Sequence, residues 1–366
     1  MAFNKNIDDM WDMGNAQISI QESGESIEQN NKGFFISADN FGPLADYVKD
    51  ENITDIDFNG TDLWITDIKN KHWKDEGRVD AKFIRKLAQD IANSASKEFN
   101  QKRPNLEAET DDLRISILHN SVAQTGTTMC IRKTPRMNRI NEKYAIESTL
   151  ADFRMQSLIA NCVKAHMNFV ICGEPRAGKT EFAKYVSSFI PTGERVITIE
   201  DVMEWRYKSL HPDADVIEMK VNKDFDYSAG IVASLKQNPR WLMIAETRGK
   251  EVKNLIQSFS TGINGITTLH TDDIAKIPSR IVNMADDSIT SNRMEQNAYE
   301  FIDVGIYISM FPDKDGGAIR RVNQLGFFAS KDDEGENKCY KLFEGGELFR
   351  KTIPSSIQEK FKRAGI

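Results

Sequence analysis

The stretch that most restricts the fold is "ICGEPRAGKT", residues 171–180. Residues 173–180 fit the pattern G-x-x-x-x-G-K-[ST], a loop whose backbone N–H groups surround phosphates. An apolar strand runs into this loop, and an amphipathic helix leaves it, so the helix start adds its positive dipole end. A chance match would rarely fall at such a junction. We therefore interpret the stretch as a phosphate-binding loop in an α/β fold.

The residue types in the loop predict the ligand. Lys179 is expected to reach the β and γ phosphates, and the Thr180 hydroxyl is expected to ligate Mg²⁺. A GTPase would normally carry N-K-x-D, and the nearest candidate, residues 222–225, ends in Phe225 instead of Asp. This mismatch favours ATP with Mg²⁺ over GTP. The residues predicted to bind the nucleotide are Gly173, Glu174, Pro175, Arg176, Ala177, Gly178, Lys179 and Thr180.

Three later segments, "RVITIED", "WLMIAE" and "GITTLH", are short apolar runs without alternation. Such runs are typical of parallel strands that are covered on both faces. Helical stretches separate them, so the rhythm predicts a doubly wound α/β core.

Polar residues end each of these three strands. They are Glu200 with Asp201, then Glu246, then His270. A single acid at a strand end is commonly a cap, and a single histidine is commonly structural. Ligands bind at the carboxyl ends of strands in open α/β sheets, so residues at successive ends behind a phosphate loop support one another. We expect them to hold Mg²⁺ and to activate water.

The rest of the chain predicts a further domain. "ITDIDFNGTDLWITD" alternates around Asn59-Gly60, which indicates a hairpin. Residues 80–95 carry apolar positions at helical spacing, and "LRISILHN" and "TTMCIRK" look like two more strands. We predict a flexible leader (1–40), an N-terminal α+β domain (41–135), a linker (136–148), an ATPase domain (149–330) and a C-terminal tail with a short helix (331–366).

Composition limits the class of protein. The chain has 366 residues and a net charge of −7, so general binding of nucleic acid is disfavoured. Its four cysteines form no C-x-x-C pair, which speaks against a zinc knuckle or a disulfide framework and suits a reducing cytosol. No stretch approaches the ~20 apolar residues of a membrane span. We expect a cytoplasmic protein whose contact with a membrane, if it has one, is peripheral.

Four blocks together resemble the secretion-superfamily ATPases of type II and type IV secretion and of type IV pili. The layout is most similar to the hexameric ATPases of type IV secretion and conjugation, over residues 45–325. The phosphate loop is one block, and "ITIEDVMEW" looks like the family's acid box. The other two are "IAETRGKEVKNLIQSFSTGINGITTLHTDD", with the second Walker segment and the histidine box, and "LRISILHNSVAQTGTTMCIRK", which ends the N-terminal domain.

The resemblance implies a RecA-like C-terminal P-loop ATPase domain and a homohexameric ring. In this family each ATP lies between two domains, and arginines of the small domain reach the γ phosphate. Arg114 and Arg132 match those positions. By the same match, Glu246 is the catalytic acid, Glu200 and Asp201 assist it, and His270 senses the γ phosphate.

The chain departs from the family pattern at several points. Ala245 replaces the usual glycine before Glu246, and Pro239-Arg240 stands where Pro-Asp is usual. The four-cysteine insert of the zinc-bearing type II and pilus-extension branch is absent, which sets that branch aside.

We therefore predict ATP hydrolysis in a hexameric ring that opens and closes its domains to power secretion, conjugation or pilus assembly. The expected partners are inner-membrane platform proteins. Two alternatives stay open: an ATP-gated assembly scaffold with little turnover, and a nucleic-acid motor. The basic stretch "IRKTPRMNR" gives the motor some support, although direct nucleic-acid binding is disfavoured at this position.

Overall fold

The computed structural model describes residues 36–134, 137–285, 291–331 and 335–366. Of the predicted leader, residues 1–35 lie outside the described residues. The described chain divides into two compact units. The N-terminal unit holds residues 36–134 and Pro312–Ala318, and the C-terminal unit holds the described residues of Met137–Phe311 and Ile319–Ile366.

The N-terminal unit is a six-stranded sheet with helices. Its strands pair in the order β3-β2-β1-β6-β5-β4, and all five neighbouring pairs are antiparallel. The elements are a 3₁₀ helix (Ala38–Leu44), α1 (Ala45–Lys49), β1 (Ile53–Phe58), β2 (Leu63–Asp67), β3 (His72–Asp75), α2 (Ala81–Ser94), β4 (Asn105–Glu109), β5 (Leu113–Leu118) and β6 (Thr128–Lys133).

The predicted hairpin joins β1 and β2. The Asn59 side chain accepts hydrogen bonds from the backbone N–H groups of Thr61 and Asp62, which closes the turn. Gly60 has φ +105°, and a Cβ there would lie 2.6 Å from the Thr125 carbonyl oxygen. Only glycine fits both conditions, so the hairpin prediction is confirmed for a local physical reason.

Helix α2 covers one face of this sheet. Asp80 caps its start by accepting a hydrogen bond from the Phe83 N–H at 2.7 Å. Ile84, Leu87 and Ile91 are buried among the apolar side chains of the strands, as their helical spacing predicted. Burying each of these side chains contributes roughly 1.5–3 kcal/mol.

The C-terminal unit is built on a nine-stranded sheet in the order β15-β14-β13-β12-β7-β11-β10-β8-β9. Its strands are β7 (Phe169–Gly173), β8 (Val196–Glu200), β9 (Val216–Lys220), β10 (Trp241–Ile244), β11 (Asn264–Leu269), β12 (Val304–Pro312), β13 (Ala318–Ala329), β14 (Lys338–Glu344) and β15 (Glu347–Leu348). The strands from β12 to β9 in this order are parallel neighbours.

Helices cover both faces of this sheet, which explains the unbroken apolar runs of the central strands. Helices α4, α5 and α11 contribute to the core on one face, and α7–α10 contribute to the core on the other. The helices are α3 (Glu142–Glu147), α4 (Phe153–Lys164), α5 (Lys179–Ser187), α6 (Tyr207–Leu210), α7 (Tyr227–Ser234), α8 (Glu251–Ser260), α9 (Ile277–Ala285), α10 (Ser291–Phe301) and α11 (Ser355–Arg363), with a 3₁₀ turn at Ile274–Lys276.

Two regions contain more structure than the sequence indicated. Helix α3 lies in the predicted linker, residues 136–148. In the predicted tail, residues 331–366, β14 and β15 extend the sheet, and the short helix is α11. The sheet of the C-terminal unit therefore has two more strands at one end than the sequence predicted.

An ion pair between the half-exposed Lys360 and a buried carboxylate fastens α11 to the sheet. Both carboxylate oxygens of Asp303 lie 2.7 Å from the Lys360 ammonium, and Asp303 also accepts the Asn168 N–H at 2.9 Å. The Asp303 side chain is 4% exposed, and burial raises its pKa although Lys360 opposes the shift. The pair therefore holds the C-terminal helix beside Asn168, the residue that precedes β7.

None of the helices in the described ranges combines the length and the apolar character that crossing a lipid bilayer requires.

Replacing Lys360 with Gln should lower the free energy of unfolding by ~2 kcal/mol, because Asp303 would stay buried without its charged partner. Urea denaturation would measure the change. Lys362→Gln, on the same helix but exposed, is the matched control and should shift stability by less than ~0.5 kcal/mol. Equal transition midpoints for the two variants would contradict the anchoring role of Lys360.

Candidate nucleotide-binding site

The predicted phosphate loop connects β7 to α5, as the sequence indicated. A Cβ at Gly173 would lie 2.5 Å from the Ile308 carbonyl oxygen, so the backbones of β7 and β12 approach too closely there for any side chain. Gly178 has φ +86° directly before the first helical residue. These two positions need glycine, and together they let the loop turn its backbone inward ahead of the helix.

The Lys179 side chain folds back over this loop. Its ammonium donates to the carbonyl oxygens of Gly173 at 3.1 Å and of Glu174 at 2.9 Å. The residue is 8% exposed, and burial lowers the pKa of its amine. A cation held at low exposure inside a glycine-bounded loop is suited to an anionic group.

The remaining loop residues divide by exposure. Glu174, Pro175 and Arg176 are exposed, whereas Ala177 is buried. Arg320 of β13 donates to the Arg176 carbonyl oxygen through Nη2 at 3.3 Å and Nε at 3.4 Å. Arg320 thereby places a second cationic side chain beside the loop, which the sequence did not predict.

Glu246 follows β10 and lies between two basic side chains. Its Oε1 is 2.9 Å from His270 Nε2, and its Oε2 is 2.6 Å from Arg248 Nη2. Burial raises the pKa of this carboxyl, but Arg248, His270 and Lys179 outweigh burial and leave the pKa below its usual value. Glu246 is therefore a half-buried carboxylate at neutral pH.

His270 links Glu246 to the phosphate loop. It follows β11, and its Nδ1 lies 3.2 Å from both the Lys179 ammonium and the Gly173 carbonyl oxygen. The structure thus brings together three residues that the sequence predicted from separate motifs. A continuous line of polar contacts runs from the loop lysine through the imidazole to the carboxylate.

Arg248 extends this line to Asp201, the acid that follows β8. Arg248 Nη1 lies 3.8 Å from Asp201 Oδ2, and Tyr227 donates to Asp201 Oδ1 at 3.2 Å. Arg248 and Tyr227 were not predicted as site residues from the sequence. The signal for Arg248 was available in "IAETR", where a basic residue stands two positions after the strand-end acid.

Glu200 has a different environment from the other acids. It is fully buried, and its Oε2 accepts the backbone N–H groups of Glu204 and Trp205, each at 2.9 Å. Within the described ranges, its hydrogen bonds go to the loop that follows β8. None goes to the line of contacts from Lys179 to Asp201. Burial raises the pKa of the Glu200 carboxyl to about 8, although the two N–H donors oppose the shift.

The acids near the phosphate loop suit a metal ion that binds together with the nucleotide's phosphates. Among the described residues, no group of three histidine, cysteine or acidic side chains forms a ready-made metal cage. Mg²⁺ usually takes one or two protein ligands and completes its shell with phosphate oxygens and water. Thr180, in the first turn of α5, and the nearby carboxylates suit that mode.

Arg114 and Arg132 lie in the N-terminal unit. They face each other in register on β5 and β6, so both side chains leave the same face of that sheet. Arg132 Nε pairs with Asp55 Oδ1 at 3.0 Å, and the Asp55 side chain is 7% exposed. Arg132 thus already has a carboxylate partner within its own sheet.

Comparison with known proteins adds independent information. The family profile described as type II/IV secretion system protein matches residues 50–296. The chain belongs to this family.

Individual relatives agree with the family assignment. An uncharacterized protein of Bacillus anthracis is 31% identical over 312 residues, covering 83% of this chain and 70% of its own length. The type IV secretion system protein VirB11 of Brucella suis is 26% identical, covering 73% of this chain and 81% of VirB11. The solved structure of the ATPase DotB from Yersinia pseudotuberculosis superimposes with a TM-score of 0.60 at 14% identity, covering 83% of this chain and 82% of DotB.

These findings confirm the resemblance and the fold class inferred from sequence. The type II/IV secretion family match spans all four motif blocks, and the DotB likeness supports the fold: an α/β, RecA-like P-loop domain preceded by a small α+β domain.

The pKa of Glu200 makes the stability of this secretion-family protein dependent on pH. The ordinary glutamate value is 4.5, so between that pH and about 8 the folded state keeps a proton that the unfolded state releases. Stability should therefore fall as pH rises through this window. Glu200→Gln stays neutral and should lose less unfolding free energy between about pH 5 and about pH 8, by ~1 kcal/mol or more.

Chemical denaturation at the two pH values would test this expectation. Glu300→Gln is the control, because Glu300 is exposed on α10. Parallel losses of stability in the parent, Glu200→Gln and Glu300→Gln proteins would rule out a proton held by Glu200 in the folded state.

Proposed function

We propose that this protein hydrolyses ATP and uses the energy in a ring-shaped motor of type IV secretion, conjugation or pilus assembly. The observation that carries the proposal is the line of contacts from Lys179 through His270 to Glu246. It joins a phosphate loop to a carboxylate in one compact unit, which is the arrangement that nucleotide hydrolysis needs.

The loop residues would hold the nucleotide. Backbone N–H groups of residues 173–180 would surround the phosphates, and the Lys179 ammonium would exchange its carbonyl partners for phosphate oxygens. Thr180 and Asp201 are the candidates to bind Mg²⁺, directly or through water. When bound, Mg²⁺ neutralises charge on the phosphate oxygens.

Glu246 would orient or deprotonate the attacking water. Its depressed pKa keeps it ionised at neutral pH, so it can accept a hydrogen bond from water. His270, which touches both Glu246 and Lys179, would register the γ phosphate. Arg248 would hold the second oxygen of Glu246 and fix the direction of the carboxylate.

We assign Glu200 a positioning role. Its buried carboxyl holds the loop that follows β8, and Asp201 is the next residue along the chain. Sequence comparison suggested that Glu200 assists catalysis at the metal, and the experiment below distinguishes the two roles.

The assembly is part of the same proposal. The chain is expected to form a homohexamer in the cytoplasm, at the inner face of the membrane, against platform proteins of the transport machine. The names of two relatives support the transport machine and the ATPase activity, since VirB11 is described as a type IV secretion system protein and DotB as an ATPase. Arg114 and Arg132 would act on the γ phosphate, so that closing and opening of the domains follow the nucleotide.

Glu246→Gln should keep ATP binding but lower kcat by ~10²–10⁴-fold, because the amide cannot accept a proton from water. Lys179→Ala should abolish measurable turnover by removing a phosphate contact. Steady-state phosphate release and nucleotide binding by fluorescence would measure the two effects separately.

Glu200→Gln is the matched control for these substitutions. It changes the same functional group one strand away, and it should retain most of the turnover because that carboxyl is already largely protonated. Normal turnover in Glu246→Gln would refute the catalytic assignment. A loss in Glu200→Gln as large as in Glu246→Gln would refute the positioning role of Glu200.

Arg114→Gln and Arg132→Gln should each lower kcat by ~10²-fold or more, with a smaller effect on ATP affinity, because guanidinium groups stabilise charge that spreads in the transition state. Arg85→Gln, at an exposed position of α2, is the control. If both variants instead lost only ATP affinity, the arginines would serve ground-state binding.

A further inference from the structure

Tyr227 connects the first turn of α7 to the acid that follows β8. Its hydroxyl accepts the backbone N–H of Asp201 at 3.0 Å and donates to Asp201 Oδ1 at 3.2 Å. One phenol oxygen therefore contacts both the main chain and the side chain of the same residue. Together the two hydrogen bonds restrict the direction of the Asp201 carboxylate relative to its own backbone.

The ring of Tyr227 is anchored in the core. It packs against the apolar cluster that lies between the sheet and helices α7–α10. Tyrosine suits such a place, because its ring buries apolar area while its hydroxyl reaches a polar partner. Asp226 caps α7 by accepting the Ala229 N–H at 2.8 Å, which fixes where the helix begins and hence where Tyr227 lies.

A close approach of α7 to β8 brings this hydroxyl to Asp201. A Cβ at Gly230 would lie 3.1 Å from Ile199 Cγ2, so the glycine lets the helix pack closely against the strand. Ile199 lies two residues before Asp201. Gly230 lies about one helical turn after Tyr227. The contact between Tyr227 and Asp201 thus follows from the packing of the helix on the strand.

The two oxygens of the Asp201 carboxylate have different surroundings. Oδ1 accepts hydrogen bonds from the Tyr227 hydroxyl and from the Val202 N–H, the latter at 2.9 Å. Oδ2 lies 3.8 Å from Arg248 Nη1, and Arg248 also contacts Glu246. Tyr227 therefore holds one oxygen of the carboxylate and leaves the other on the side of the candidate site.

The Tyr227 hydroxyl is a firmer support for Asp201 than the ion pair with Arg248. The side chains of Arg248 and Asp201 are 65% and 43% exposed, and ion pairs between exposed side chains contribute little. The hydroxyl, by contrast, belongs to a ring that the core holds in place. The exposure of Asp201 also means that a ligand from solvent can reach its carboxylate.

We propose that Tyr227 is a positioning residue for Mg²⁺-dependent nucleotide binding, and that it acts through Asp201. This inference rests on the proposed function, in which Asp201 is a candidate to bind Mg²⁺. Mg²⁺ demands near-ideal octahedral geometry, so a carboxylate that is held in one direction suits it better than one that rotates. Tyr227 orients the carboxylate and is not itself a ligand.

Tyr227→Phe removes the hydroxyl and keeps the ring. The measurement is binding of a fluorescent ADP analogue to the full chain, over a range of Mg²⁺ concentrations and in EDTA. The Mg²⁺ concentration that gives half of the Mg²⁺-dependent change should rise ~5-fold, within the range expected for one lost hydrogen bond. Binding in EDTA should stay at the parent value, because the substitution leaves the phosphate loop unchanged.

A second variant tests whether the effect passes through Asp201. Asp201→Asn should also raise the Mg²⁺ requirement, and adding Tyr227→Phe to it should change little, because residues that act as one unit are not additive. Tyr299→Phe is the matched control, since Tyr299 is another partly buried tyrosine packed against the same apolar cluster. It should keep the Mg²⁺ dependence of the parent.

Several results would overturn the proposal. One is parent-like Mg²⁺ dependence in Tyr227→Phe, including the case in which thermal melting shows only a loss of stability. Others are an equal change in Tyr299→Phe, and effects of Tyr227→Phe and Asp201→Asn that multiply independently. Nucleotide binding by the parent that ignores Mg²⁺ would overturn it as well. Mg²⁺-dependent binding without any ATP turnover would instead count against the proposed hydrolysis alone.

Discussion

The candidate site depends on the register of three parallel strands. Leu269 of β11 lies opposite Cys172 of β7, so the next residue of each strand, His270 and Gly173, meet at the edge of the sheet. Strand β10 pairs with β11 on the other side and brings Glu246 to the same edge. A slip of one residue would turn every side chain of a strand to the opposite face. The buried cores on both faces prevent such a slip, and they therefore also set the contacts of His270 with Glu246 and with the phosphate loop.

Two glutamates at neighbouring strand ends show how environment separates similar residues. Glu246 lies half-buried between Arg248 and His270, and these partners leave its pKa below the usual value despite burial. Glu200 is fully buried, and burial raises its pKa to about 8 although two backbone N–H donors oppose the shift. At neutral pH one is an ionised carboxylate and the other is largely a neutral acid. Pairs of titratable groups whose surroundings push their pKa values apart commonly have different roles. This difference is the physical basis for assigning water activation to Glu246 and loop support to Glu200.

The sequence predicted features that depend on short-range rules and missed features that depend on tertiary contacts. The loop, its flanking strand and helix, and the β1–β2 hairpin follow from glycine positions and apolar runs. By contrast, β14 (KCYKLFE) mixes charged and apolar residues, because it lies toward the end of the sheet, where Lys341 pairs with Asp273 and with Glu344. The motif order placed Glu200 and Glu246 at strand ends, but no pattern in the chain distinguishes a carboxyl that bonds to its own loop from one that faces a guanidinium. The place of Arg248 two residues after Glu246 was a signal for their pairing, but only the fold brings Arg248 between Glu246 and Asp201.

Cations of both units are already engaged within their own units. The Lys179 ammonium bonds to two loop carbonyls and touches His270, and Arg132 pairs with the nearly buried Asp55. A phosphate that recruits either cation must compete with these partners, so only the difference between the two sets of contacts contributes to binding. For Lys179 that difference favours the phosphate. Burial has lowered the pKa of the amine, and a nearby anion would stabilise the charged ammonium again. For Arg132 the exchange leaves Asp55 as a buried carboxylate without its ion pair, which costs free energy. The two exchanges thus have opposite tendencies: an anion beside Lys179 would offset the cost of its burial, whereas moving Arg132 away from Asp55 costs free energy.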